Sequence, residues 1–310
     1  MEKFVILPDV TCDISPEIQR DFGLEDYVRS HFTVNDDREY ATTLDWNEIS
    51  REEFYKLIGD KHKKVSTAPA NHEEYYAIFE KYVKEGYAVL SMSLSTRISA
   101  TYNFAEMAAK RIKENYPDAK IYCFDSFRMS GGFGLLVMHA LDLKQQGKSF
   151  DEIVEWLEAN KRRVHQMGPV DDLIVIARRG RITMGKAILG SFAGVKPMGD
   201  CNAEGYTTVI GKAKGIKKAL AATAQYVKAT IVDPEDQYII ISNTDRTELA
   251  EMLKELIEKE IKVKKIYISD VYPGCAPNIG PGMCAAYYLG NEIKEDLAAE
   301  REAMANILGK

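Results

Sequence analysis

The stretch Tyr87-Ala88-Val89-Leu90-Ser91-Met92-Ser93-Leu94-Ser95-Thr96 decides the fold. It reads as a strand through Met92 and then runs out into small hydroxyl residues. The segment after it repeats apolar residues at steps of three and four: Ile98, Tyr102, Ala105, Ala109, Ile112 and Tyr116. That spacing predicts a helix with one apolar face. The same order recurs at Val65-Ser66-Thr67-Ala68-Pro69 and at Phe124-Asp125-Ser126. Open α/β sheets bind ligands where strand ends feed helix starts. The free N–H groups and positive dipole end of a helix favour an anion there. Such clusters, meeting at one crevice, would cradle an anionic head group with neutral hydroxyls. Ser and Thr are also ordinary N-caps, and spacing alone does not choose between the two readings.

Working outward, strands are expected at Lys3–Leu7, Val28–Val34, Tyr87–Met92 and Lys120–Phe124. Asn71-x-x-Glu74 and Ser50-x-x-Glu53 look like capping boxes. A helix over Gly131–Gln146 stops at Gly147, and Ser149 with Glu152 caps the next, which carries Ile153, Trp156 and Leu157. This alternation predicts an α/β fold whose N-terminal sheet is mainly parallel and covered by helices on both faces. From Val164 the pattern restarts. Strands are expected at Leu173–Ala177, Thr207–Lys212, Tyr238–Ser242 and Lys265–Asp270. Helices are expected at Thr183–Ser191, Ile216–Thr230 and Arg246–Glu258. Gly280-Pro281-Gly282 should open an apolar helix over Met283–Leu289, presenting its N-terminus to a ligand or making a plain turn. The charged end, Asn291–Lys310, places Ile293, Leu297, Met304 and Leu308 on one side of a helix. The expected division is an N-terminal α/β domain over 1–163, a C-terminal α/β domain over 164–290 and a helical extension over 291–310, with the ligand between the two domains.

Composition removes several classes. A chain of 310 residues, 45% hydrophobic, can bury a large core as two domains. A net charge of −6 argues against nucleic acid as a partner. No apolar run approaches the length of a membrane span, and the start, Met1 to Leu7, reads as a first strand and not a signal peptide. The five cysteines contain no C-x-x-C pair and read as reduced thiols of a cytoplasmic protein. The five scattered histidines predict no metal. There is no G-x-S-x-G elbow, no phosphate-binding G-x-x-x-x-G-K-[ST] loop and no G-x-G-x-x-G after the first strand, so no cofactor is expected. Gly131-Gly132-Phe133-Gly134 opens a helix, either for close approach to a ligand or for tight helix–sheet packing. Two basic runs, Arg178-Arg179-Gly180-Arg181 and Lys212-x-Lys214-Gly215-x-Lys217-Lys218, either dock a negative group or an acidic partner, or are a solvated face.

Seven segments in order carry a family resemblance. Asp9-Val10-Thr11-Cys12-Asp13 is similar to a D-S-x-x-D motif after the first strand. Ser66-Thr67-Ala68-Pro69 is similar to T-S-Q-P, and Ser95-Thr96-Arg97-Ile98-Ser99-Ala100-Thr101-Tyr102 to S-S-x-L-S-G-T-Y. Asp125-Ser126 with Ser130, Gly132 and Gly134 resembles D-S…S-x-G-x-G. Arg179-Gly180-Arg181-Ile182-Thr183 resembles G-G-R-I-S, and Lys196-Pro197 a following K-P. Asn278-Ile279-Gly280-Pro281-Gly282 resembles a terminal H-x-G-P-G. Over residues 3 to about 289 the chain thus resembles the DegV family, which includes the fatty-acid-binding subunits of bacterial fatty acid kinase.

The resemblance implies two α/β domains enclosing one long-chain fatty acid. The acyl chain would lie in an apolar tunnel and the carboxylate would be held by hydroxyls. Carried over, the ligand-binding candidates are Ser66, Thr67, Ser95, Thr96, Asn278 and Gly280, and the partner-docking candidates are Arg181 and Lys214. The chain would be a non-catalytic carrier that presents the carboxylate to a separate ATP-dependent fatty acid kinase. Asn278 stands where the family has His, so an amide replaces a titratable donor. Ala68 replaces Gln, Val10 replaces Ser, Ala100 replaces Gly and Lys214 replaces Arg. The alternative is an enzyme acting on a small carboxylated or phosphorylated metabolite. A carrier needs a long apolar cavity, whereas that enzyme needs a short polar pocket with a titratable group.

Overall fold

The computed structural model describes residues 2–171, 173–182 and 194–309; the helix expected at Thr183–Ser191 lies outside them. The first half runs β1 (Phe4–Pro8), α1 (Pro16–Phe22), β2 (His31–Val34), β3 (Arg38–Ala41), α2 (Arg51–Gly59), β4 (Val65–Ala68), α3 (His72–Lys84), β5 (Ala88–Ser93), α4 (Thr101–Asn115), β6 (Ile121–Asp125), α5 (Ser130–Gln145) and α6 (Phe150–Asn160). The second half runs β7 (Val164–Met167), α7 (Leu173–Arg178), β8 (Val195–Cys201), β9 (Thr207–Lys214), α8 (Ile216–Thr230), β10 (Tyr238–Asn243), α9 (Thr247–Glu260), β11 (Lys265–Asp270), α10 (Ala276–Ile279), β12 (Cys284–Leu289) and α11 (Ala298–Leu308).

β1, β5 and β6 form a parallel sheet in the order β1-β5-β6. Side chains alternate across a strand, so β1 feeds two cores. Val5 and Leu7 pack with Tyr75 and Phe79 of α3 and Ala105 and Ile112 of α4. Phe4 and Ile6 face the other way, toward Phe133 and Leu136 of α5. β10, β11, β12 and β7 make a second sheet in the order β11-β10-β12-β7, with β10 and β11 parallel and β12 antiparallel to both neighbours. One face of it is covered by α8, α9 and α11. The other, through Ile240, Tyr287 and Val164, joins the same core as α5. The result is a two-domain α/β fold with α5 wedged between the sheets. A small antiparallel sheet, β3-β2-β4, and the hairpin β8-β9 lie beside it.

The wedge explains the glycines of α5. A Cβ on Gly131 would stand 2.4 Å from Ser242 Oγ, and one on Gly134 would stand 2.3 Å from the Cys12 carbonyl oxygen. Of the two readings of Gly131-Gly132-Phe133-Gly134, tight packing accounts for both positions.

Four expectations are corrected. Leu173–Ala177 is not a strand but the start of the short helix α7. The run Leu-Ile-Val-Ile-Ala is too short for periodicity to separate helix from strand. Met283–Leu289 is not a helix; Cys284–Leu289 is the fully buried strand β12. Its small residues Ala285 and Ala286 fit between β10 and β7, and tertiary pairing outweighs their helical preference. The segment expected as one strand over Val28–Val34 is split. Val28 makes a single bridge to Asp9, and β2 begins only at His31. In the terminal segment Ile293, Leu297 and Met304 are buried, and the helix itself begins at Ala298.

Candidate ligand-binding cavity

Between the strand ends of the first sheet, the small antiparallel sheet and the second sheet lies a cavity. It has about 1260 Å³ of empty space with its open mouth included. Its wall is largely apolar, through residues such as Leu94, Ile98, Val170, Ile176, Met283 and Tyr287. Polar groups are gathered at particular points.

One such point joins two motif residues 211 positions apart. The Asn278 amide, Nδ2, donates to Thr67 Oγ1 at 3.0 Å. Thr67 lies near the end of β4, and Asn278 lies on the one-turn helix α10; both line the cavity. Ser30 and Thr11, both buried, belong to the same wall. Gly274 packs closely against this wall: a Cβ there would stand 3.1 Å from Val10 Cγ1 and 3.3 Å from Thr11 Cγ2. Ser99 and Thr101 add a further hydroxyl pair, Oγ to Oγ1 2.7 Å apart, at the entry to α4.

The other carried-over residues are placed differently. Ser66 precedes Thr67 on β4, so its side chain takes the opposite face, and it does not line the cavity. Ser95 is fully buried; its Oγ accepts from the Arg97 backbone N–H at 3.2 Å and closes the turn after β5. Thr96 donates from Oγ1 to Asp125 Oδ2 at 2.6 Å, tying the ends of β5 and β6 together. Both are outside the wall. Gly280 follows α10 with φ +80°, a left-handed value that glycine accepts without strain. It packs against Val175 and does not line the cavity. Lys214 is exposed at the end of β9, away from the cavity. Arg181 does line it, and its guanidinium also donates to the Arg179 carbonyl. Arg179 in turn donates to the Val65 carbonyl at 2.7 Å, fastening the end of α7 to β4.

Sequence reasoning passed over Arg29, which with Arg181 supplies the cationic groups of the wall among the described residues. It also passed over Asp9 as a wall residue. Asp9 is buried and accepts from the backbone N–H of Thr11 at 2.8 Å and of Leu94 at 2.9 Å. Burial raises its pKa to about 6, with the hydrogen bonds from Thr11 and Leu94 pulling the other way. Deeper, Asp13 is pushed to about 8 by burial, although the Tyr272 N–H donates to Oδ1 at 2.9 Å. Cys275, the thiol of the wall, is driven well above the usual range by burial and by the nearby Asp13. Among the described residues the wall holds no histidine, and no group of three His, Cys, Asp or Glu converges as a metal site would. No described helix is long and apolar enough to cross a membrane.

Two α/β domains packed about a buried helix, with a cavity lined by strand-end hydroxyls, define the class of protein. The family model described as "Uncharacterised protein, DegV family" matches residues 3–291, and the chain belongs to that family. A DegV domain-containing protein of Clostridium perfringens is 35% identical, over 94% of this chain and 99% of its own length. A DegV family protein of Ruminococcus gnavus, solved with vaccenic acid, superposes with a TM-score of 0.82 at 23% identity, covering 92% of this chain and 99% of that one. A fatty-acid-binding DegV family protein of Thermus thermophilus matches equally, with a TM-score of 0.82 at 22% identity and coverage of 93% and 99%.

Proposed function

We propose that this protein binds one long-chain fatty acid in the cavity and holds the carboxylate at the Thr67–Asn278 pair. The observation that carries the proposal is that pair. Two residues from distant motifs meet at the edge of an apolar cavity, which is the arrangement that an amphipathic ligand with one polar end requires. Arg181 and Arg29 supply positive charge to the same wall, and a charge-assisted bond to a carboxylate is stronger than a neutral one. Ser66, Ser95, Thr96 and Gly280 act as the frame that positions the wall. The fatty acids named for the Ruminococcus and Thermus proteins support the same ligand class.

In this reading the protein works in the cytoplasm as a carrier, without catalysing a reaction itself. It presents the carboxylate to a separate ATP-dependent fatty acid kinase, with exposed Lys214 on the docking side. A metabolite enzyme is less well supported: Asp9 gives the wall one titratable carboxyl, but the wall is largely apolar, its thiol is held protonated and it has no histidine among the described residues. The test is mass spectrometry of lipid extracted from protein purified without denaturant, with titration of stearate into the delipidated protein. One retained acyl chain and saturable stearate binding are expected. No lipid and no binding of any acid from about C12 to C20, chain lengths suited to a ligand-pocket volume, would reject the reading. Acyl phosphate formation on adding a fatty acid kinase tests the partnership separately.

A further inference from the structure

A second polar point lies in the same wall, built by elements other than β4 and α10. On β7, Val164 faces the α5 core and Met167 faces the α8 core. Strand alternation therefore turns Gln166 toward the α5 side. Gln166 pairs in register with Tyr287 of β12, and Tyr287, Ala285 and Met129 line the cavity with it. Gln166 is only 8% exposed. Its Nε2 donates to Thr207 Oγ1 at 2.9 Å. Among the described residues the Thr207 hydroxyl faces only sulfur acceptors, Met129 Sδ at 3.9 Å and the side chain of Cys201, both weak. Among the described residues the Gln166 amide oxygen accepts no hydrogen bond.

A carboxamide set in an apolar wall is costly unless its groups are paired. Here one N–H is used, while an oxygen and a second N–H remain. A plain methylene chain offers neither donor nor acceptor, and a ketone offers only an acceptor. A hydroxyl offers both, so it can donate to Gln166 Oε1 while accepting from the remaining N–H or from Thr207. We infer that Gln166 and Thr207 recognise a hydroxyl carried along the acyl chain, so that the favoured ligand class is the hydroxylated long-chain fatty acids. This inference rests on the fatty-acid reading above.

The test is competitive binding of stearate and of its 9-, 10- and 12-hydroxy derivatives to the delipidated full-length protein. At least one positional isomer is expected to bind about tenfold more tightly than stearate, the worth of one hydrogen bond that otherwise stays unmade. Gln166→Leu and Thr207→Val should each bring that ratio close to one. Thr207→Val keeps the shape of the side chain and carries the test if Gln166→Leu does not fold. Stearate binding with no preferred isomer overturns the inference and leaves the fatty-acid reading standing. So does a preference that survives in both variants. No binding of any of these acids overturns both.

Discussion

Asp13 should make this protein lose stability as pH rises through the neutral range. Its carboxyl is fully buried, with a folded pKa near 8 against an ordinary value of 3.8. A raised acid pKa means that the folded state binds more protons than the unfolded state between those two values. Stability then falls as pH rises, at about 1.4 kcal/mol per pH unit for one proton. The term is absent below about pH 4 and complete above about pH 8. From pH 5 to pH 7 it amounts to about 2.7 kcal/mol. Asp13→Asn keeps the shape and the acceptor for the Tyr272 N–H and removes the titration. The assay is urea unfolding of both proteins at pH 5, 6, 7 and 8, read as the difference between them, so that Asp9, whose pKa is also raised, largely cancels. The variant should gain on the wild type steadily with pH. A difference that stays flat over this window, or one that moves the opposite way, would refute the reasoning, because it would mean that Asp13 is ionised in the folded protein at pH 5.

Thr67→Val should weaken stearate binding by about 1 kcal/mol, the net worth of one hydrogen bond. Ser95→Ala should leave affinity unchanged and cost about 1 kcal/mol of stability as a lost turn bond; titration calorimetry and urea unfolding of both variants check the contrast, and the reverse pattern would move the head group to Ser95. Asn278→His should introduce a pH dependence that the wild-type amide lacks at this position, with tighter binding at pH 6 than at pH 8, since the imidazole is protonated on the acidic side while the fatty acid stays ionised; identical titration curves for the two proteins would show that position 278 does not reach the ligand. Gly134→Ala should cost about 3 kcal/mol, the upper end of overpacking penalties, because its Cβ would meet the rigid Cys12 carbonyl and not a movable side-chain tip; a urea midpoint equal to that of the wild type would contradict this packing.

The strand–helix alternation was readable because both periods are written locally. Val5 and Leu7 alternate with Phe4 and Ile6 on β1, and the apolar face of α4 recurs every three or four residues. Capping boxes at Asn71–Glu74 and Ser149–Glu152 are present where spacing placed them. Short apolar runs were not readable. Leu173–Arg178 became a helix and Cys284–Leu289 a strand, because four to seven apolar residues suit either form until neighbours supply hydrogen bonds.

By itself, then, the order of residues determined the α/β class, the family motifs and the hydroxyl-rich strand ends, all of which depend on neighbours within a few positions. Only the tertiary structure decided which hydroxyls face the cavity. Thr67, Ser99 and Thr101 do, while Ser66, Ser95 and Thr96 hold the turns and strand ends around it. It also brought Asn278 against Thr67 and set Gln166 beside Thr207. The physical reason is that a hydroxyl bonds equally well to its own turn or to a distant partner. Which bond it makes is settled only when strand pairing and the wedge of α5 fix where its side chain points.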